Sequence, residues 1–152
     1  MPSAPRMDFE RLVAEVEASY ERYEQLATLL SRRIQQIDGW LTRIRAKEDS
    51  ICPAVSKPTE GETPLCLMLG VRNAGKCSAL MYAWGKSLDD LPTNWSALSG
   101  ASIEIKQRAV RLIPDLLDNM RGAQEERVFE LLETHAELDK IAKAIPSATE
   151  GN

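Results

Sequence analysis

Residues 64–91 read PLCLMLGVRNAGKCSALMYAWGKSLDDL, and the structure of this stretch decides whether the chain is all-α or mixed. The apolar run LCLML stands before Gly70, and the apolar run SALMYAW follows Cys77. This order fits a strand, a loop and a helix, and it also fits one or two helices. LCLML lacks the Val and Ile typical of buried parallel strands, and a single strand would have no sheet to join. We therefore expect short helices within residues 65–88, with the strand, loop and helix arrangement left open.

The same stretch contains a near match to a phosphate-binding loop. The Walker A pattern is Gly, four residues, Gly-Lys and then Ser or Thr. Gly70, Gly75 and Lys76 fit it, and Cys77 stands where the hydroxyl residue belongs. About twenty residues resemble a P-loop NTPase, which implies that backbone amides and Lys76 hold phosphates. A thiol is a poor ligand for Mg²⁺, so a degenerate P-loop nucleotide binder (Gly70 to Cys77) is an alternative only.

The clearest signal is a heptad pattern between Met7 and Ser50. Eleven residues follow one another at alternating spacings of four and three, with no charged residue among them: Phe9, Val13, Val16, Tyr20, Tyr23, Ala27, Leu30, Ile34, Ile37, Leu41 and Ile44. This spacing places them on one helix face as a coiled-coil-like seam, so we predict one continuous helix over residues 8–47. Further apolar residues widen the stripe, which indicates packing against more than one neighbour.

A second helical region runs from Ser102 to about Ile145. Ser102 is placed as an N-cap, and Pro114 predicts a kink, a break or the first residue of a fresh helix. Heptad spacing resumes at Val128, Leu131, His135, Leu138, Ala142 and Ile145. We predict an all-α elongated helical bundle in which the first and last helices pack antiparallel, around short central helices and a Pro-kinked C-terminal helix. It forms a single helical domain over residues 1–152, with flexible tails at 1–6 and 147–152 and a loop at 52–63.

The charges are unevenly distributed along the chain. The net charge is −4, yet residues 32–47 carry five basic residues and one acidic residue, and residues 71–88 carry three basic residues and none that are acidic. Antiparallel packing would bring these basic segments together at one end of the bundle. A basic end attracts a nucleic-acid backbone or an acidic partner. The candidate contact residues are Arg32, Arg33, Arg43, Arg45, Lys47, Arg72, Lys76 and Lys86.

No catalytic, cofactor or metal site is indicated by the sequence. His135 is the only histidine, and the three cysteines Cys52, Cys66 and Cys77 lack metal-ligand spacing. There is no apolar run long enough for a membrane helix and no secretory signal. We therefore expect a cytoplasmic protein without enzymatic activity or cofactors.

The expected function is that of a noncatalytic α-helical interaction subunit of a larger protein assembly, with self-association left open. The seam that would make the contact includes Val16, Tyr23, Leu30, Ile37 and Leu41. The first alternative is a small subunit of a nucleoprotein complex that binds nucleic-acid backbone through the basic end (Arg32 to Lys47, Arg72 to Lys86). The second alternative is the degenerate P-loop nucleotide binder.

Overall fold

The computed structural model describes residues 8–47, 52–56 and 65–146, and it shows a mixed α+β fold. In chain order its elements are α1 (Phe9–Arg43), β1 (Ala54–Val55), β2 (Cys66–Ala74), β3 (Cys77–Gly85), β4 (Ser96–Ala97), a 3₁₀ turn (Leu98–Gly100), α2 (Ile103–Val110) and α3 (Ile113–Ala144). The strands form one antiparallel sheet in the order β1-β2-β3-β4. The prediction of an all-α helical bundle is wrong, because the residues expected to form short central helices form a β-hairpin.

A two-residue turn joins β2 to β3 and makes this hairpin. Ala74 pairs with Cys77, so Gly75 and Lys76 alone form the turn. Gly75 has a φ of 63°, and glycine adopts such a conformation at the first position of a two-residue hairpin turn without a steric cost. The hairpin extends from there to the pair Cys66 and Gly85. Of the residues that match a phosphate-binding loop, Gly70 and Cys77 therefore lie in two paired strands and Gly75 and Lys76 form the turn between them, with no helix following the turn.

The core lies between one face of the sheet and the three helices. Leu67, Leu69 and Val71 of β2 are buried in this core, and the residues between them, which face the other side, are buried as well. On that other side the ring of Trp95 lies over Gly70, where a Cβ atom would come within 3.3 Å of it. The helices contribute four fully buried side chains to the core: Ile34, Leu41, Ala109 and Leu116.

Helix α1 lies along the edge of β3 that β4 leaves uncovered. Asp38 Oδ1 accepts a hydrogen bond from the Leu80 N–H at 2.8 Å, and Thr42 Oγ1 accepts one from the Ser78 N–H at 3.0 Å. These N–H groups point away from β2, because Ser78 and Leu80 belong to the pairs that exchange no hydrogen bonds across the hairpin. β4 pairs only with the two residues that follow Leu80. Side chains of α1 thus satisfy backbone groups that a further strand would otherwise satisfy.

The C-terminal half divides where the sequence predicts a break. Ser102 caps α2 as predicted, with its hydroxyl accepting a hydrogen bond from the Ile105 N–H at 3.3 Å. Helix α2 ends at Val110, and Pro114 lies in the first turn of α3. A proline there has no N–H to leave unpaired and its φ suits a helix start. The Pro-kinked helix of the prediction is therefore two helices.

The predicted boundaries of α1 and of the irregular segments differ from the observed ones. Helix α1 begins one residue later and ends four residues earlier than the predicted range of 8–47. The predicted loop 52–63 is described only at residues 52–56, where it contains β1. The rest of that loop and the predicted tails at 1–6 and 147–152 lie outside the described residues. Within the described part of the chain, none of the helices has the length and apolar character needed to cross a membrane.

Candidate functional site

The first half of α1 projects from the folded body with its apolar side chains exposed. We call residues 9–29 of α1 the N-terminal arm. Phe9 and Tyr20 are each 72% exposed in it. The predicted seam residues divide between the two halves of the helix: Val16 and Tyr23 are exposed in the arm, Leu30 and Ile37 are half-buried against the sheet, and Leu41 is fully buried. Only the second half of this continuous seam therefore packs within the chain, and the first half is exposed.

The second half of α3 projects in the same manner. We call residues 128–144 of α3 the C-terminal arm, in which Val128, Leu131 and Leu138 are about half exposed. His135 lies on the same face and is also exposed. The predicted antiparallel packing of the first and last helices is therefore wrong, because the stripes on both arms face solvent.

Arg45, in a left-handed conformation, closes the C-terminal end of α1. The Arg45 N–H donates to the Thr42 carbonyl at 3.1 Å, and the Ala46 N–H donates to the Leu41 carbonyl at 3.0 Å. These are the two hydrogen bonds of a Schellman motif, in which glycine usually occupies the left-handed position. Arg45 has a φ of 57°, a conformation that costs a residue with a Cβ about 1–2 kcal/mol. The fold therefore holds a guanidinium group here at a conformational cost.

A polar network fixes this turn against the hairpin. The Ala46 carbonyl accepts hydrogen bonds from Asn73 Nδ2 at 2.7 Å and from Ser78 Oγ at 2.9 Å. Asn73 Nδ2 also donates a hydrogen bond to Ser78 Oγ at 2.8 Å, and Ser78 is buried. Buried networks of this kind hold their members in one arrangement when all of them are satisfied. The end of α1 is thereby fixed beside the hairpin tip that carries Lys76.

Three adjoining clefts around this turn form a basic trough. The first, between the turn and the hairpin tip, has a volume of about 720 Å³ and is lined by Arg45, Lys47 and Lys76. The second, of about 420 Å³, lies between the turn and α3 and adds Arg121 and Arg127. The third shares Lys47 and Arg127 and continues along α3 to Thr134. We define the basic trough by its five cations: Arg45, Lys47, Lys76, Arg121 and Arg127.

Three of the predicted contact residues, Arg45, Lys47 and Lys76, line the trough. The other five lie elsewhere. Exposed positions on α1 outside the three clefts are occupied by Arg32, Arg33 and Arg43. The Arg72 guanidinium lies 4.8 Å from the centroid of the Trp95 ring, and Lys86 follows the far end of β3. A nine-residue strand places that end roughly 30 Å from the hairpin tip. Sequence reasoning missed Arg121 and Arg127, because nothing in the spacing indicates that α3 passes the end of α1.

Two charged groups are held inside the fold and away from these clefts. Burial raises the pKa of the Asp38 carboxyl above its ordinary value, and the hydrogen bond from the Leu80 N–H opposes this rise. Lys106 is buried between α1 and α2, where its Nζ donates to Ser31 Oγ at 2.7 Å. Among the described residues, no group of three or more His, Cys, Asp or Glu side chains is arranged to hold a metal ion.

Comparison of the chain with protein-family models, with curated proteins and with solved structures finds no match. What the protein does is therefore inferred from the two arms and the basic trough.

Proposed function

We propose that the protein is a noncatalytic interaction subunit that self-associates through its N-terminal arm. The observation that supports this is the exposed apolar stripe of the arm, on which even Val16 at the centre is 53% exposed. Monomeric proteins rarely expose apolar surface in a contiguous patch of more than a few hundred Å². A stripe with heptad spacing is the kind of surface that a second helix covers by knobs-into-holes packing.

The residues beside the stripe favour a second copy of the chain in parallel orientation. One flank carries Glu10, Glu17 and Glu24 at intervals of seven, and the other flank carries Leu12, Ser19 and Leu26. In a parallel helix pair, flanks of opposite kind meet, so the aliphatic stems of the glutamates would cover the leucines. An antiparallel pair would set the glutamate row against itself, and like charges would repel.

The contact is limited to the arm. From Leu30 to Leu41 the seam is occupied by the sheet of its own chain, so three heptads remain, which span roughly 30 Å. A contact of this length is short for a coiled coil, and we expect monomer and dimer to exchange with protein concentration. The C-terminal arm begins beside Lys47, which follows the C-terminal end of α1. The N-terminal arm is the other end of that helix, so the C-terminal arm takes no part in this contact.

Sedimentation velocity on the full chain over a wide range of concentrations tests the proposal. Wild type is expected to shift from monomer to dimer as the concentration rises, and Val16→Asp is expected to stay monomeric. Ala18→Asp is the matched control, because it adds the same charge two residues away on the opposite face of the helix. Circular dichroism should give the same spectrum for both variants, since neither residue belongs to the core.

Two results would contradict the proposal. One is a wild-type chain that remains monomeric at every concentration. The other is an equal effect of Val16→Asp and Ala18→Asp, which would mean that the charge and not the stripe is responsible. Leu138→Asp on the C-terminal arm should leave the dimer in place.

Disulfide trapping tests the parallel orientation separately. In a chain whose exposed Cys52 and Cys77 are replaced by serine, Phe9→Cys should form a disulfide between copies. A parallel pair brings the two Cα atoms within the ~7 Å that a disulfide allows. An antiparallel pair places them at opposite ends of the arms, and no disulfide would form.

A cytoplasmic location is part of the same proposal. Cys52 and Cys77 are exposed free thiols, and Cys66 is a buried one. Free exposed thiols are usual in reducing compartments. The partners proposed here are a second copy of this chain and the protein assembly that such a dimer would join.

A further inference from the structure

Three of the five cations of the basic trough have side chains without a partner in the described part of the chain. The side chains of Arg45, Lys76 and Arg127 make no hydrogen bond or ion pair within residues 8–47, 52–56 and 65–146. Arg121 is paired with Asp118 of its own helix. Glu130 is the carboxylate that lines the third cleft, and the first two clefts have no acidic lining residue among those described. An anionic ligand is therefore the chemistry that this surface suits.

The conformation of Arg45 is a second, independent indication. Glycine would close α1 without strain, and strained backbone positions that the surrounding structure maintains cluster at functional sites. A cation near a helix C-terminus interacts favourably with the helix dipole by about 0.3–1 kcal/mol. Arg43 already supplies a cation in the last turn, and this gain does not exceed the strain of about 1–2 kcal/mol. Helix stability alone thus does not account for an arginine here.

The floor of the second cleft is apolar and includes an aromatic ring. Trp40 is half-buried there, and Ile44 and Leu117 are 48% and 41% exposed. The cations Arg45, Arg121 and Arg127 stand around this floor. Proteins that bind single-stranded nucleic acids combine a cationic groove for the backbone with aromatic side chains on which bases stack. A duplex, whose bases are already stacked, would leave such a floor unused.

We propose that the basic trough binds single-stranded nucleic acid. The phosphates would lie on Arg45, Lys76 and Arg127, and a base would lie on the apolar floor at Trp40. Of the 23 acidic residues of the chain, six lie within residues 8–24 and eight lie on α3, and Glu130 is the one of these that lines a cleft of the trough. This inference is independent of the proposed self-association, because the residues of the N-terminal arm lie outside all three clefts of the trough.

Fluorescence anisotropy with a labelled single-stranded DNA or RNA oligonucleotide of mixed sequence and the full chain tests this inference. Each phosphate contact contributes about 0.7 to the slope of log affinity against log salt for a single strand. Contacts from the three cations Arg45, Lys76 and Arg127 would lower the affinity about twentyfold between ~50 and ~200 mM salt. Arg127→Gln and Lys76→Gln are each expected to weaken binding and to reduce that slope by about 0.7.

The controls separate the trough from the overall charge. Arg32→Gln and Lys140→Gln remove one positive charge each outside the trough and are expected to leave the affinity unchanged at physiological salt. Arg45→Gly is the most informative variant, because it should raise the melting temperature by removing the strain while it weakens binding. A merely structural role for Arg45 would raise the melting temperature and leave the affinity as it was.

Several outcomes would overturn the inference. They are the absence of binding at the lower salt, an equal loss in Arg32→Gln and Arg127→Gln, and competition by a polyglutamate peptide as strong as that by the oligonucleotide. Binding of a duplex as tight as that of the single strand would also overturn it, since the apolar floor would then contribute nothing. Val16→Asp should bind the oligonucleotide as wild type does, which keeps this test distinct from that of self-association.

Discussion

Replacing Asp38 tests how α1 is fixed to the edge of β3. Asp38→Ala removes the acceptor of the Leu80 N–H, a 2.8 Å hydrogen bond. Leu80 is 1% exposed, so water does not replace Asp38 as the acceptor of its N–H, and β4 pairs only with the two residues after Leu80. A buried donor left without an acceptor costs about 1–3 kcal/mol, and we expect the free energy of unfolding to fall by this amount. Asp38→Asn keeps an oxygen at this position, and we expect it to be at least as stable as wild type near neutral pH.

The dependence on pH has a definite sign. Burial raises the pKa of Asp38 in the folded state above the ordinary value of 3.8, so the folded state holds the proton more tightly than the unfolded state. As the pH rises from about 4 through the folded pKa, the wild type therefore loses stability relative to Asp38→Asn, and the difference is constant above that range. Comparing the two proteins cancels the contributions of the other carboxyl groups.

Urea denaturation followed by circular dichroism, at a series of pH values, measures both effects. Gln36→Ala, an exposed substitution on the same helix, should change the free energy of unfolding by no more than about 0.5 kcal/mol. An equally small effect of Asp38→Ala would contradict this role of the Asp38 carboxylate. A stability of Asp38→Asn that declines relative to wild type as the pH rises would contradict the raised pKa.

Three further substitutions test the core and the backbone. Leu41→Ala should lower the free energy of unfolding by about 2–5 kcal/mol, the usual range for a buried leucine, because Leu41 is 1% exposed; a loss below about 1 kcal/mol in urea denaturation would contradict its place in the core. Gly85→Ala should lower the melting temperature, because the added Cβ would lie 2.9 Å from Met68 Cε and 3.1 Å from Pro92 Cδ. Gly39→Ala should raise the melting temperature, since nothing lies within 4 Å of an added Cβ there and alanine is more favourable than glycine in a helix by about 0.5–1 kcal/mol. Shifts of the same sign in the two glycine variants would contradict this difference in their surroundings.

The helices could be predicted from the sequence because their signals are local. The heptad spacing of α1, the cap at Ser102 and the break near Pro114 each depend on residues a few positions apart. The end of α1 was placed four residues too late, because its last position is closed by Arg45 and not by the glycine that usually marks it. The helix that carries the seam was predicted apart from its ends, but the packing partner of the seam was not, since heptad spacing does not distinguish a sheet from a second helix.

The hairpin was missed for reasons that lie in its composition. β2 is buried on both faces, so it shows none of the polar and apolar alternation that marks a half-buried strand. Its leucines, methionine and cysteine are not the β-branched residues that favour strands. The informative signal was Gly75-Lys76 between the two apolar runs, because glycine at the first of two turn positions indicates a two-residue hairpin turn. Reading these residues as part of a phosphate-binding loop obscured it. The trough could not be predicted, because it depends on how α3 passes the turn at Arg45.

The continuity of α1 through residue 30 has a consequence for the order of its exposed half. Starting a helix is the costly step, since several residues must be fixed before the first hydrogen bond forms, whereas adding one residue to an existing helix costs little. The half of α1 docked on the sheet provides that start, so residues 9–29 extend a helix that already exists. Fraying should increase from Leu30 towards Phe9. A second chain that meets the arm therefore meets a largely preformed helix, and less conformational entropy is lost on association than if the arm had to fold as it bound.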